Sequence, residues 1–108
     1  MKLTIIAEDK LISIDGVNFS GLDLSALDQS IHAVQWYGEY GEIEYKSRLE
    51  NNQIVKPQNQ SINELSQFQW AIDAWNAAKQ EHDAMIAMAQ IPVVEAGGDA
   101  TPNQTEAA

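Results

Sequence analysis

The sequence predicts an α+β fold: a small antiparallel β-sheet built from hairpins within residues 2–46, covered by one long C-terminal α-helix over about residues 62–89. Three observations point there. Asp15-Gly16 lies between two runs in which apolar residues alternate. A second pair of alternating runs, Ile31–Tyr37 and Gly41–Lys46, flanks a turn with glycines at both ends. From Leu65 onward the apolar period changes from two to between three and four, the mark of a helix face.

The elements follow in order. Met1–Ala7 has one basic residue and a short apolar run that breaks at Glu8-Asp9. That is too short for a signal-peptide core and fits a first strand better. Leu11–Ile14 follows the polar turn Glu8-Asp9-Lys10. Asp-Gly accepts the positive φ angles of a two-residue type I′ turn, so Ile12–Ile14 and Val17–Phe19 read as a hairpin. Leu22, Leu24 and Leu27, spaced among Asp23, Ser25 and Asp28, read as a compact loop or one helical turn tucked against the sheet.

In the aromatic pair of strands, alternation assigns His32, Val34 and Trp36 to one face and Ile31, Ala33, Gln35 and Tyr37 to the other. Ile43 and Tyr45 share a face opposite Glu42, Glu44 and Lys46. Gly38 and Gly41 bracket the turn, as residues free to take positive φ. Residues 47–60 are polar and rich in Asn and Gln, a loop with one short edge strand near Gln53–Lys56 that Pro57 stops.

Ser61-Ile62-Asn63-Glu64 matches a capping box, in which serine and glutamate satisfy each other's free amides at a helix start. Behind it Leu65, Phe68, Ile72 and Trp75 form an amphipathic stripe with Ala71 and Ala78 nearby. Trp36 and Trp75 are expected to be core residues touching across the sheet–helix interface. Pro92 sets the outer limit of the helix. The extended acidic tail beyond it holds few apolar side chains to offset the entropy of ordering. Residues 1–90 are therefore expected to form a single α+β domain, with residues 91–108 a flexible or partner-bound C-terminal arm.

Composition narrows the function. A chain of 108 residues makes one domain, and an apolar fraction of 44% is that of an ordinary globular protein. No run of about 18 apolar residues exists to span a membrane. The chain has no cysteine, which excludes disulfides and thiolate chemistry and suits a reducing cytosol. Sixteen acidic against six basic residues give a net charge of −10. Such a surface repels nucleic acid and anionic membranes, leaving plain solubility or an acidic face for a basic partner.

Reactive constellations are missing. His32 reads as a hydrogen-bonded strand residue. Glu81-His82-Asp83 are consecutive, so on a helix they point apart and cannot close on one metal. No serine sits in a Gly-x-Ser-x-Gly elbow, no calcium-loop template fits, and Gly97-Gly98 has no strand or helix behind it to cradle phosphate. Glu42 and Glu44 alternate along one strand, the pattern of a solvated face more than of a carboxylate pair. No catalytic, cofactor or metal residue is assigned. What remains for function is aromatic and apolar surface: Tyr37 and Tyr40 near the strand turn, Trp70 off the helical stripe, and Ile91, Val93 and Val94 as anchors of the arm.

Ile31-His32-Ala33-Val34-Gln35-Trp36-Tyr37-Gly38, followed by Gly41-Glu42-Ile43-Glu44-Tyr45, resembles the IHA-x-QW-x-G…GEIEY signature of a family of small bacteriophage and prophage proteins. Leu3–Ile6, Asp15-Gly16 and Asp73-Ala74-Trp75 match the first strand, Asp-Gly hairpin and helix that accompany the signature, so the likeness covers about residues 1–78. The family usually continues after the second strand with a short turn to Pro-Asn, where this chain has the longer 47–60 stretch. The resemblance implies a non-enzymatic phage tail-associated accessory protein that binds a tail or tail-fibre component as a virion structural part, and it transfers no catalytic residues. It implies a location in the virion tail, or in the host cytoplasm during phage assembly, and leaves room for a homo-oligomer. The alternatives are a tail-fibre assembly chaperone absent from the mature virion, and an acidic nucleic-acid-mimicking inhibitor of a host protein.

Overall fold

A computed structural model describes residues 1–90, and the C-terminal arm with Ile91, Val93 and Val94 lies outside them. The architecture is α+β. Six strands form an antiparallel sheet: β1 (Leu3–Ile6), β2 (Leu11–Ile14), β3 (Val17–Phe19), β4 (Ile31–Trp36), β5 (Gly41–Tyr45) and β8 (Gln60–Ile62). Their order is β3-β2-β1-β4-β5-β8. β6 (Arg48–Glu50) and β7 (Gln53–Val55) make a separate two-stranded hairpin within the β5–β8 connection. A 3₁₀ turn, Ser66–Phe68, leads into α1 (Gln69–Gln90), the one α-helix among the described residues.

The register lines up one apolar face. Leu3 stands between Ile14 and Trp36, and Ile5 between Ile12 and Val34. Val34 in turn faces Ile43. These residues are buried together with Phe68, Ala71 and Trp75 of the helical layer. The other face carries Thr4, Leu11, Ser13, Gln35, Glu42 and Glu44, all half-buried, and no second layer covers it among the described residues. Such one-sided burial is what an antiparallel sheet with strict alternation allows.

Two hairpins follow from turn chemistry. Asp15 (φ 49°) and Gly16 (φ 86°) both occupy the left-handed region, as the type I′ turn requires. Asn51 (φ 50°) and Asn52 (φ 66°) do the same between β6 and β7. Asparagine tolerates that region because its short amide bonds locally. The 47–60 stretch is thus a hairpin of its own followed by β8, where the sequence suggested a loop with one edge strand.

Three further expectations are corrected. A β-bulge leaves His32 unpaired, because Ile31 faces Tyr45 while Ala33 already faces Glu44. The bulge resets the alternation and brings Ile31 onto the covered face with Val34 and Trp36, while His32 turns to a half-buried recess beside Glu44 and Lys46. Gly41 does not use positive φ. It sits opposite Trp36, and a Cβ there would stand 2.9 Å from Trp36 Cε3, so glycine is what lets the indole lie flat across β5. Finally, Ser61-Ile62 does not cap the helix. Ser61 pairs with Glu42 and Ile62 with Gly41 in β8, and α1 starts seven residues later than the expected position 62.

The two tryptophans are both buried but anchor different places. Trp36 lies on the inner strand β4. Trp75 donates its indole N–H to the Val17 carbonyl at 2.9 Å and packs edge-on against Phe19 at 5.8 Å, both on the edge strand β3. Among the described residues Trp36 and Trp75 form no ring pair, because α1 lies over β2 and β3 at one edge of the sheet.

Two substitutions test this packing by chemical denaturation. Trp75→Ala should cost about 3–5 kcal/mol, the range for losing a buried tryptophan. Gly41→Ala should cost about 1–3 kcal/mol, because the new methyl meets backbone and the Trp36 ring and one of them must move.

Candidate functional site

The β4–β5 turn presents the clearest contact feature at one end of the sheet. Tyr37 N–H donates to the Tyr40 carbonyl at 2.8 Å, which closes the turn. Gly38 takes φ 116° there, a conformation that disfavours any side chain. The two tyrosine rings, both exposed, lie with centroids 5.1 Å apart. A Cβ on Gly38 would come within 3.8 Å of the Met1 carbonyl, so the exposed Met1 lies alongside the turn. Ladders to β1 and β5 hold the platform rigid. Rigid exposed tyrosines lose little rotamer entropy on contact, which is why they serve interfaces well.

Trp70 is placed differently from the two tyrosines. It lies in the first turn of α1, half-buried and packed against the core. Because Ile62 stands beside Gly41, the chain enters its helical layer from the same end of the sheet as the tyrosine turn. Trp70 nevertheless forms no ring pair with Tyr37 or Tyr40. Among the described residues the ring pairs are Phe19–Trp75, Phe19–His82 and Tyr37–Tyr40.

At the opposite end the β6–β7 hairpin exposes apolar surface that sequence reasoning did not single out. Leu49 and Ile54 face each other across it and are 69% and 80% exposed. The available signal was Asn51-Asn52, a turn pair between Leu49 and Ile54. Beside the hairpin a cleft of about 430 Å³ is lined by Ser30, Tyr45, Lys46, Arg48 and Pro57. Half of the chain's six basic residues, Lys46, Arg48 and Lys56, gather at this end. Lys56 pairs with Glu44 at 3.1 Å and Arg48 with Glu50 at 2.9 Å, which leaves this end close to neutral in a strongly acidic chain. Exposed pairs of this kind add at most about 1 kcal/mol each.

The loop before β4 is built from two Asx turns. Asp23 accepts from Ser25 N–H at 2.9 Å, and Asp28 accepts from both the hydroxyl and N–H of Ser30 at 2.7 and 2.8 Å. These bonds stabilise the charged carboxylates: the Ser25 backbone lowers the pKa of Asp23, and the Ser30 hydroxyl and backbone lower that of Asp28. The turns aim Leu22, Leu24 and Leu27 inward, with Leu27 buried.

Among the described residues no three His, Cys, Asp or Glu side chains converge to hold a metal ion, and no helix is long and apolar enough to cross a membrane. Comparison with family models, with curated proteins and with solved structures gave no match.

The Asx turns carry a pH signature. A carboxyl whose pKa is lowered by folding adds stability above its unfolded pKa and loses it as pH falls through the folded value. Carboxyl titration by NMR should place both midpoints below the usual carboxylate range. The amide protection factors of Ser25 and Ser30, corrected for intrinsic exchange, should fall as acidification passes through that window and hold steady at higher pH. Midpoints at or above the ordinary aspartate value would remove these turns as the loop's fasteners.

Proposed function

We propose that the protein is a non-enzymatic accessory of a bacteriophage tail that binds a tail or tail-fibre component as a structural part of the virion. The observation that carries the binding half of this reading is the exposed Tyr37–Tyr40 pair on a turn fixed by two strand ladders. The tail half rests on the resemblance of Ile31–Gly38 and Gly41–Tyr45 to the phage signature, whose glycines and Trp36 build that same turn. Trp70 supplies further partly exposed aromatic surface at the start of α1. The arm with Ile91, Val93 and Val94 adds apolar anchors on the sequence reading alone.

The same surfaces serve a fibre-assembly chaperone that leaves before the virion is complete. The nucleic-acid mimic is the weaker reading. Glu44 is paired with Lys56 and Glu42 accepts from Asn59, so the acidic row on β5 is partly neutralised. A mimic needs those charges free to stand in for phosphates.

Quantitative mass spectrometry of purified virions separates part from chaperone: stoichiometric presence supports the first, and absence with co-purification from lysate the second. Tyr37→Ala with Tyr40→Ala should lower the affinity for the fibre or tail partner at least about tenfold, as interface aromatics typically do. The melting temperature should stay nearly unchanged, since both rings are exposed. Undiminished binding by the double variant would move the contact surface elsewhere.

A further inference from the structure

The β6–β7 hairpin stands apart from the six-stranded sheet. Every residue of β6 is exposed, and among the described residues β6 pairs with β7 alone. The Asn51-Asn52 turn, with positive φ at both positions, decides which backbone groups its outer edge presents. In a two-residue hairpin of this type the residues flanking the turn exchange both ladder bonds, and bonded and non-bonded pairs alternate away from it. Glu50–Gln53 and Arg48–Val55 are therefore the bonded pairs, and Leu49–Ile54 the non-bonded one. Leu49 thus turns its N–H and its carbonyl outward at the centre of β6. Its side chain lies beside that of Ile54, and both are largely exposed. Such an edge is a template for one more strand.

We propose that the added strand is β6 of a second copy, antiparallel, about a two-fold axis at Leu49. The order Arg48-Leu49-Glu50 selects both occupant and direction, because turned about its centre it is its own complement. The two Leu49 residues exchange N–H···O=C bonds. Arg48 of each copy then faces Glu50 of the other in non-bonded pairs, where side chains stand closest. A parallel pairing in register sets Arg48 against Arg48 and Glu50 against Glu50, and like charges directly opposite destabilise a strand pair. The ion pair inside each copy is kept. Arg48 reaches Glu50 through Nε at 2.9 Å, along one face of the strand, and a guanidinium has further N–H donors for a second carboxylate. The four side chains make a ring of alternating charge. On the opposite face Leu49 and Ile54 of both copies form one apolar row across four strands. The outer edge of β7, Gln53-Ile54-Val55, has no charge and selects no partner. The contact is well below a standard-size interface, so the dimer is weak and depends on concentration. The inference is independent of the tail reading, because it is read on the purified protein alone.

Sedimentation velocity of the full chain from low micromolar to near-millimolar concentration should show monomer giving way to dimer. Arg48→Glu alone and Glu50→Arg alone each set like charges opposite at both ends of the paired strands. Each should move the dimerisation midpoint to a concentration at least about tenfold higher. An equimolar mixture of these two variants should dimerise as wild type does, and so should a chain carrying both exchanges, since the reversed order is again its own complement. All should melt with dilute wild type by circular dichroism, because the substituted side chains are exposed. Because the chain has no cysteine, single cysteines report direction. An equimolar mixture of Arg48→Cys and Glu50→Cys should form disulfide dimers faster than either variant alone. A full chain that stays monomeric throughout would overturn the proposal. So would association undiminished by either single charge reversal, or not recovered in the mixture. Faster self-cross-linking of either cysteine variant would overturn the antiparallel arrangement.

Discussion

The indole of Trp75 joins positions 58 residues apart, and the second layer of the molecule depends on it. Almost all other pairing is between strands brought together by the sheet itself. β3 is only three residues long and sits at an edge, where an unsatisfied carbonyl row invites pairing with another chain. By donating to the Val17 carbonyl and packing edge-on against Phe19, Trp75 fastens α1 onto that edge strand. The helix has no acidic residue in its first turn and no basic residue in its last. Its stability therefore comes from Phe68, Ala71 and Trp75 packing on the sheet and not from its own ends.

A second constraint operates at the other tryptophan. Trp36 can lie across β5 because Gly41 offers no side chain, and Ile62 of β8 then closes over the same place. A ring covering a strand glycine compensates for the packing that glycine lacks. One consequence is geometric: the turn between Trp36 and Gly41 is braced from both sides, so Tyr37 and Tyr40 stand on a fixed support. Residues Trp36, Gly38 and Gly41 are thus the ones that shape this support, a physical job that requires no reactive group.

Much of the fold was legible because its signals are local. Asp15-Gly16 specifies its hairpin through backbone angles alone, and Leu3–Ile6 through alternation. The errors arose where a distant pairing overrode a local pattern. Ser61-Ile62-Asn63-Glu64 has every residue of a capping box, yet the free edge of β5 recruits Gln60–Ile62 as a strand because Ile62 fits over Gly41. The bulge at His32 is likewise set by pairing with Glu44 and Tyr45, and no residue type in β4 announces it. On the candidate site, Tyr37 and Tyr40 were legible since a turn exposes what it carries. Leu49 and Ile54 were not, because alternation says that two side chains share a face but not that the face belongs to a hairpin standing apart.

That hairpin divides the chain into parts with different tolerances. β5 and β8 are direct neighbours in the sheet, and everything between Tyr45 and Gln60 is a detour from one to the other. Changing the length of a loop costs little, roughly 0.6 kcal/mol for each doubling. The detour can therefore be shortened, extended or exchanged without disturbing a single ladder of the six-stranded sheet. This is the place where related chains can diverge in size and where a foreign loop or tag can be carried, while the framework beneath stays the same.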